Sequence, residues 1–146
     1  MLLYEGEDSI RLATKYRPDT FNEIIGQDIV VQILKSIITK RKFESAYLIC
    51  GPSGVGKTTV GRVMSKSVLC DSPTDGNPCC KCESCISFSK DRHFGYKELD
   101  AASFGGKDDM VRLRDDAAFQ AVGGQKIILL GECHAISRQG QDALLK

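Results

Sequence analysis

Between Gly51 and Thr58 the chain reads Gly-Pro-Ser-Gly-Val-Gly-Lys-Thr, which meets G-x-x-x-x-G-K-[ST] at every fixed position. Glycines at this spacing let a tight loop bring successive backbone N–H groups toward an anion, since a Cβ there would block the approach. Lys57 is placed to reach the β- and γ-phosphates of a nucleoside triphosphate, and the Thr58 hydroxyl to ligate Mg²⁺. Thr58 and Thr59 then open a helix whose N-terminal partial charge favours the same anion. The candidate nucleotide-binding residues are therefore Gly51, Pro52, Ser53, Gly54, Val55, Gly56, Lys57, Thr58 and Thr59. A turn that binds nothing would need neither the lysine nor the hydroxyl in register.

A second group of reactive side chains follows. Cys70, Cys79, Cys82 and Cys85 stand as C-x8-C-x2-C-x2-C. The two short steps suit a chain wrapping a tetrahedral ion, and four thiolates make a closed structural Zn²⁺ site. The spacing does not separate zinc from an iron–sulfur cluster. Nearby prolines and glycine, and the lack of a redox partner motif, favour zinc. Cys80 breaks the even step and stands as the alternative ligand. Free thiols in a small loop do not explain five cysteines within sixteen residues. Cys50 and Cys133, in or beside apolar runs, are expected as small buried hydrophobes.

The third feature is Ile127-Ile128-Leu129-Leu130-Gly131-Glu132-Cys133-His134. It has the form of the second strand of a nucleotide site, hhhh-Asp-Glu-x-His, with Gly131 where the Mg²⁺-holding Asp belongs. Glu132 remains as the candidate catalytic carboxylate, placed to polarise the water that attacks the γ-phosphate. Lys57 is the candidate catalytic cation. Loss of the Asp weakens metal capture, so binding can survive while turnover suffers. The plain alternative is a Glu132 that only faces solvent at a strand end.

These residues need elements to hold them. Ala46-Tyr47-Leu48-Ile49-Cys50 predicts a strand before the phosphate loop, and the helix after it runs to about Leu69. Pro18 keeps Arg17 extended. Asp28 is a plausible N-cap, and Val30, Ile33, Leu34, Ile37 and Ile38 recur as the apolar stripe of a helix ending at Thr39-Lys40-Arg41-Lys42. Asp71 to Pro78 reads as a loop. Tyr96 to Asp100 is a weaker strand. Asp108 to Phe119 reads as a helix with Met110, Val111, Leu113, Ala117 and Ala118 inward, broken by Gly123-Gly124. Lys126 to Leu130 is continuously apolar, as in a parallel sheet covered on both faces. Ser137 can cap a last helix from Arg138 to Lys146. Strands alternating with helices indicate an α/β, doubly wound parallel architecture.

Composition narrows the class. A chain of 146 residues, 42% hydrophobic and 27% charged, fits one soluble domain. Twenty basic residues against nineteen acidic give a net charge of +1, so no polybasic arm argues for direct nucleic-acid binding. Met1 to Asp8 lacks the basic and apolar regions of a signal peptide, and no apolar run reaches membrane-spanning length. Seven cysteines without an export signal point to thiols or metal in a reducing, cytoplasmic setting.

Together the Tyr16-Arg17-Pro18…Phe21…Ile24-Ile25-Gly26-Gln27 segment, the phosphate loop, the cysteine insertion and Glu98-Leu99-Asp100-Ala101-Ala102-Ser103 resemble the N-terminal part of the gamma/tau family of bacterial DNA polymerase III subunits, the ATPases of the sliding-clamp loader. The resemblance runs from Leu12 on, and the zinc insertion is its most specific part. It implies an AAA+ fold, with residues 1–146 as a nucleotide-binding domain and residues 70–90 as a zinc-binding insertion within it. It further implies that Ala13, Arg17, Pro18 and the Ile25-Gly26 region line the adenine pocket, with ATP, Mg²⁺ and Zn²⁺ as cofactors. Ser137 to Lys146 is similar to the family's Leu-Ser-Arg…Ala-Leu-Leu-Lys helix. The implied partners are the other subunits of a pentameric ring, the sliding clamp and primer–template DNA; no membrane is implied.

Two departures set expectations. Gly131 leaves open a subunit that binds ATP without hydrolysing it. The family's sensor strand, arginine finger, lid and collar would all follow Lys146. The sensor strand would lie between the Ala46–Cys50 and Ile127–Leu130 runs, so an incomplete sheet of poor stability is expected. A third function, from another class, is a zinc-bearing protein-interaction module with a vestigial phosphate loop.

Overall fold

The computed structural model describes residues 15–118 and 124–144. Five helices and two strands follow in order. They are α1 (Asp28–Lys40), α2 (Lys57–Leu69), α3 (Glu83–Ser89), β1 (Tyr96–Asp100), α4 (Lys107–Ala118), β2 (Ile127–Gly131) and α5 (Arg138–Leu144). Short 3-10 turns stand at Phe21–Glu23 and Cys133–Ala135.

β1 and β2 pair in parallel, Tyr96 opposite Ile127 through to Asp100 opposite Gly131. Side chains alternate across a strand, and the two faces have separate partners. Leu99, Ile128 and Leu130 pack into a cluster with Met110, Leu113, Ile136 and Ala143 of the α4–α5 layer. Leu129 faces the other way, toward α2, where Gly61 lacks the side chain that would obstruct it. A Cβ there would lie 2.8 Å from Leu129 Cδ1. Helices thus cover both faces of the sheet, as its apolar composition requires.

The second core lies on the far side of α2. Phe21, Leu34, Ile38, Val60, Val63 and Met64 are buried together, with Ile24, Val31, Ile37, Phe43, Ile49 and Val68 against them. Phe21 is among the largest fully buried side chains. It seats the leading segment Arg17–Gln27 between α1 and α2.

Several expectations change in the fold. Ala46–Cys50 is not a strand. Among the described residues only β1 and β2 form a sheet, and an apolar run without a backbone partner makes no ladder. Ile49 still packs on the α2 core, whereas Leu48 is 80% exposed and Cys50, expected buried, is exposed. Cys133 is half-buried and its thiol donates to the Leu130 carbonyl at 3.2 Å. In α1 the N-cap is Gln27, with no side-chain bond, and Asp28 is the first helical residue. Its inward stripe is Leu34 and Ile38 with Val31 and Ile37; Val30 and Ile33 face solvent. In α4, Met110 and Leu113 are buried but Ala117 and Ala118 are exposed, because the helix turns only one narrow face to the sheet. Ser137 caps α5 as expected, its Oγ accepting from the Gly140 N–H at 3.1 Å. Phe119, Gly123 and Leu145–Lys146, named in the expected elements, lie outside the described residues.

Truncating Phe21 removes the plug of the α1–α2 core. Phe21→Ala should lower unfolding stability by about 3–5 kcal/mol, read as a fall in urea midpoint with little change in slope.

Candidate functional site

The phosphate loop is built by glycines in a region closed to most residues. Gly54 and Gly56 have φ of 79° and 92°, and Gly56 is the residue from which α2 begins. A side chain at either would meet open space, so backbone strain alone selects glycine. The loop thus hands the chain directly to the N-terminus of a 13-residue helix, with Lys57 first in it. The Lys57 ammonium folds back over the loop and donates to the carbonyls of Gly51 at 3.0 Å and Pro52 at 2.8 Å. Gly51 to Val55 and Thr58 are exposed; Thr59 is half-buried. This arrangement offers backbone donors, a helix terminus and a cation to an anion approaching from solvent.

At the C-terminal end of β2, Gly131 still pairs opposite Asp100, and its carbonyl accepts from the Ala101 N–H at 3.0 Å. A Cβ at Gly131 would meet only the Leu99 carbonyl oxygen, at 3.7 Å, so the backbone has room for the missing Asp. Residues 129 and 131 share one face of the strand, so position 131 looks to the α2 side. Glu132 has φ of 50°, and its carboxylate lies 3.4 Å from His134 Nδ1, both side chains exposed. His134 is the His of the hhhh-Asp-Glu-x-His pattern.

The leading segment lies elsewhere on α2. Arg17 and Pro18 line a cavity of about 220 Å³ with Lys15, Asp19, Arg62, Val63, Lys66, Phe88, Ser89 and Asp91. No phosphate-loop residue lines it. Ala13 lies outside the described residues.

The four predicted thiols do come together. The Sγ atoms of Cys70, Cys79, Cys82 and Cys85 all lie within 4.8 Å of one another. Cys70 and Cys82 sulfurs are 3.9 Å apart, which suits a tetrahedral ion with Zn–S bonds of about 2.3 Å. Backbone N–H groups are already aimed at the sulfurs: Cys79 N–H to Cys70 Sγ at 3.2 Å, Cys82 N–H to Cys79 Sγ at 3.3 Å, Cys85 N–H to Cys82 Sγ at 3.4 Å. Cys80, the alternative ligand, stays outside the group. It has φ of 56°, and its thiol turns to the Pro78 carbonyl at 3.7 Å. The donor set and spacing fit zinc, which would be held by these four sulfurs and would tie the insertion's loops together.

Charge within the cluster is uneven. The Lys81 and Cys82 N–H groups draw the Cys79 thiol down to about 6. Burial pushes Cys85 well above the usual thiol range, and Cys70 and Cys80 up as well. A divalent ion offsets that cost by stabilising all four thiolates at once.

Residues that pattern alone could not single out hold these pieces on α2. Arg62 lies over the adjoining rings of Phe88 and Tyr96, 5.7 and 5.9 Å from their centroids, and pairs with Glu98 and with Asp91. Lys66, 4% exposed, pairs with Asp19 at 2.5 Å. Among the described residues no buried side-chain polar atom lacks a partner. No helix among them is long and apolar enough to cross a membrane.

Comparison with known proteins follows the same lines. The family model described as DNA polymerase III, delta subunit, matches residues 26–146. The chain is 38% identical over 138 residues to the DNA polymerase III subunit gamma/tau of Mycobacterium tuberculosis strain H37Rv, covering 92% of this chain and 24% of that protein. It is 37% identical over 136 residues to the subunit gamma of Buchnera aphidicola, with coverage of 92% and 37%. With the subunit tau of Escherichia coli K12 it shares 35% over 136 residues, with coverage of 92% and 21%. The chain therefore spans about a fifth to somewhat over a third of the length of these relatives.

Two outcomes check the thiolate centre. Cys85→Ala should abolish binding of one equivalent of zinc, and Cys80→Ala should leave it intact, read by metal analysis after gel filtration. In metal-free protein at pH 7, iodoacetamide should label Cys79 roughly tenfold faster than Cys80, because Cys79 is largely thiolate there. Zinc should block the Cys79 label, read by peptide mass spectrometry.

Proposed function

The chain belongs to the DNA polymerase III delta-subunit family, and from that premise we propose that it is the nucleotide-binding part of an ATPase subunit of the sliding-clamp loader. Residues 1–146 form an AAA+ nucleotide-binding domain of a cytoplasmic replication protein, with residues 70–90 as a zinc-binding insertion. ATP with Mg²⁺ sits on Gly51–Thr59. Lys57 takes the β- and γ-phosphates and Thr58 the magnesium; the resemblance assigns the nucleoside to Ala13, Arg17 and Pro18, the last two lining a cavity farther along α2 than the loop. Zinc on Cys70, Cys79, Cys82 and Cys85 is structural.

In the assembled ring of five subunits, ATP binding lets the loader grip and open the clamp and engage primer–template DNA. Hydrolysis then releases the clamp onto DNA. The relatives support this through their names as DNA polymerase III subunits. The observation that carries it is local: two glycines at positive φ leading straight into a helix that opens on Lys57.

A second reading keeps ATP binding and drops turnover. It rests on Gly131, which takes away the carboxylate that would hold magnesium through its water shell. Glu132 is the residue left to polarise water.

Calorimetry with ATP and Mg²⁺ should show binding that Lys57→Ala weakens about 10- to 100-fold, the loss of a charge-assisted contact. Absence of heat from the parent would remove the nucleotide reading. Gly131→Asp should fold normally, given the space at that position, and should raise phosphate release above the parent's. Measurable turnover in the parent, unchanged in Gly131→Asp, would remove the second reading.

A further inference from the structure

The thiolate insertion and the leading segment meet at one buried side chain. Asn77, 9% exposed, accepts the Phe21 N–H on Oδ1 at 2.9 Å. Its Nδ2 donates to Asn22 Oδ1 at 3.2 Å and to the Asp75 carbonyl at 3.5 Å. Phe21 is the residue whose ring is locked into the α1–α2 core, so this amide fixes the backbone of the segment beside its anchor.

Asn77 is itself held firmly. Thr74 and Asn77 exchange two backbone hydrogen bonds of 2.9 Å across a tight turn, with Asp75 and Gly76 at φ of 48° and 72°. Two positive φ values in sequence are those of a type I′ turn. The turn presses against α1: a Cβ on Gly76 would fall 2.6 Å from Lys35 Cα, and Asp75 pairs with Lys35 at 2.6 Å. Lys35 in turn donates to Asn22 Oδ1 at 3.3 Å. Two residues after Asn77 stands Cys79, whose N–H bonds to the sulfur of Cys70, and Cys70 is the residue that ends α2. The path from thiolates to turn to leading segment to phosphate-loop helix is closed.

We propose that Asn77 is a positioning residue through which the metal-filled thiolate centre sets the affinity of the nucleotide site. With the four sulfurs tied together, the turn is fixed and the leading segment is held on α2. With the sulfurs untied, the turn keeps its hold on α1 through Lys35 but loses its anchor at Cys79, and the Phe21 N–H is held less firmly. The inference rests on the reading that Gly51–Thr59 binds a nucleoside triphosphate and that Arg17 and Pro18 face its nucleoside. The coupling must be reciprocal, so nucleotide tightens the metal by the factor that metal tightens the nucleotide.

The test titrates the intact chain with ATP and with inorganic tripolyphosphate, each with Mg²⁺, once with one equivalent of zinc and once after chelation. ATP affinity should rise roughly fivefold with zinc. Tripolyphosphate, which has no nucleoside for the leading segment to meet, should bind equally in both states. Competition with a zinc-binding dye should show the same roughly fivefold tightening of zinc when ATP is added. Asn77→Ala should erase the effect of zinc on ATP and that of ATP on zinc while leaving tripolyphosphate unchanged, and Asn77→Asp, which keeps the acceptor for the Phe21 N–H, should restore part of the coupling.

Equal ATP affinity with and without zinc in the parent would overturn the proposal, and that measurement needs no variant. So would tripolyphosphate changing in step with ATP, which would mean a general loosening of the fold. A parent that binds neither ligand in either state would overturn the phosphate-loop reading, and the coupling with it.

Discussion

Helix α2 is the member on which the other parts are assembled. At its N-terminus stands the glycine loop, at its C-terminus Cys70, and its 13 residues separate the two by about 20 Å. One side carries Val60, Val63 and Met64 into the core with Phe21 and α1. Another presents Gly61 to Leu129 of β2. A third carries Arg62 and Lys66, whose charges are answered by Glu98, Asp91 and Asp19. A buried cation is tolerated only with such partners, so each pairing fixes where a neighbouring element must lie. The helix that offers its dipole to an anion is in this way also the rigid link to the thiolates.

The insertion has little apolar material of its own. Cys70, Cys85 and Phe88 are its buried hydrophobic residues, and Phe88 packs against Tyr96 of β1 with ring centroids 4.3 Å apart and planes tilted by 43°. Segments this short cannot bury enough surface to offset the entropy of ordering them, and metal ligation is a common substitute. The N–H groups directed at three sulfurs show that the backbone is already wound for thiolates. The shape of the knuckle follows from its hydrogen bonds, and an ion held by the four sulfurs would supply the cohesion that a core supplies in a larger domain.

Features made of contiguous residues were legible in the sequence. The glycine loop, the four grouped thiols, β1, β2 and the Ser137 cap each depend on neighbours along the chain. What depended on distant neighbours was not. Ala46–Cys50 has a strand's composition, but strandness is a property of a pair, and its backbone has no partner among the described residues. For the same reason Cys50 lies exposed where an apolar run suggested burial. In α1 the periodicity was right for a helix, yet it could not say how wide a stripe the neighbouring helix would cover, so Val30 and Ile33 remain in solvent. Asn77 carried no signal: an asparagine in a Thr-Asp-Gly-Asn turn is ordinary turn chemistry, and its bond to Phe21 spans 56 residues.

Gly131 divides fold from chemistry at a single position. It keeps its place in the ladder opposite Asp100, and its carbonyl still receives the Ala101 N–H, so the strand end is intact without a side chain. Nothing nearby requires glycine, since a Cβ would find only ordinary contact with the Leu99 carbonyl. Steric demand therefore does not account for the residue, unlike Gly54 and Gly56, where the backbone conformation does. What a carboxylate would add there is charge toward the α2 face. Its absence leaves the architecture as it was. The same separation holds across the molecule: the packing on α2 is complete without any ligand-directed group, so loop and carboxylate positions can vary in chemistry while the scaffold that aims them stays constant.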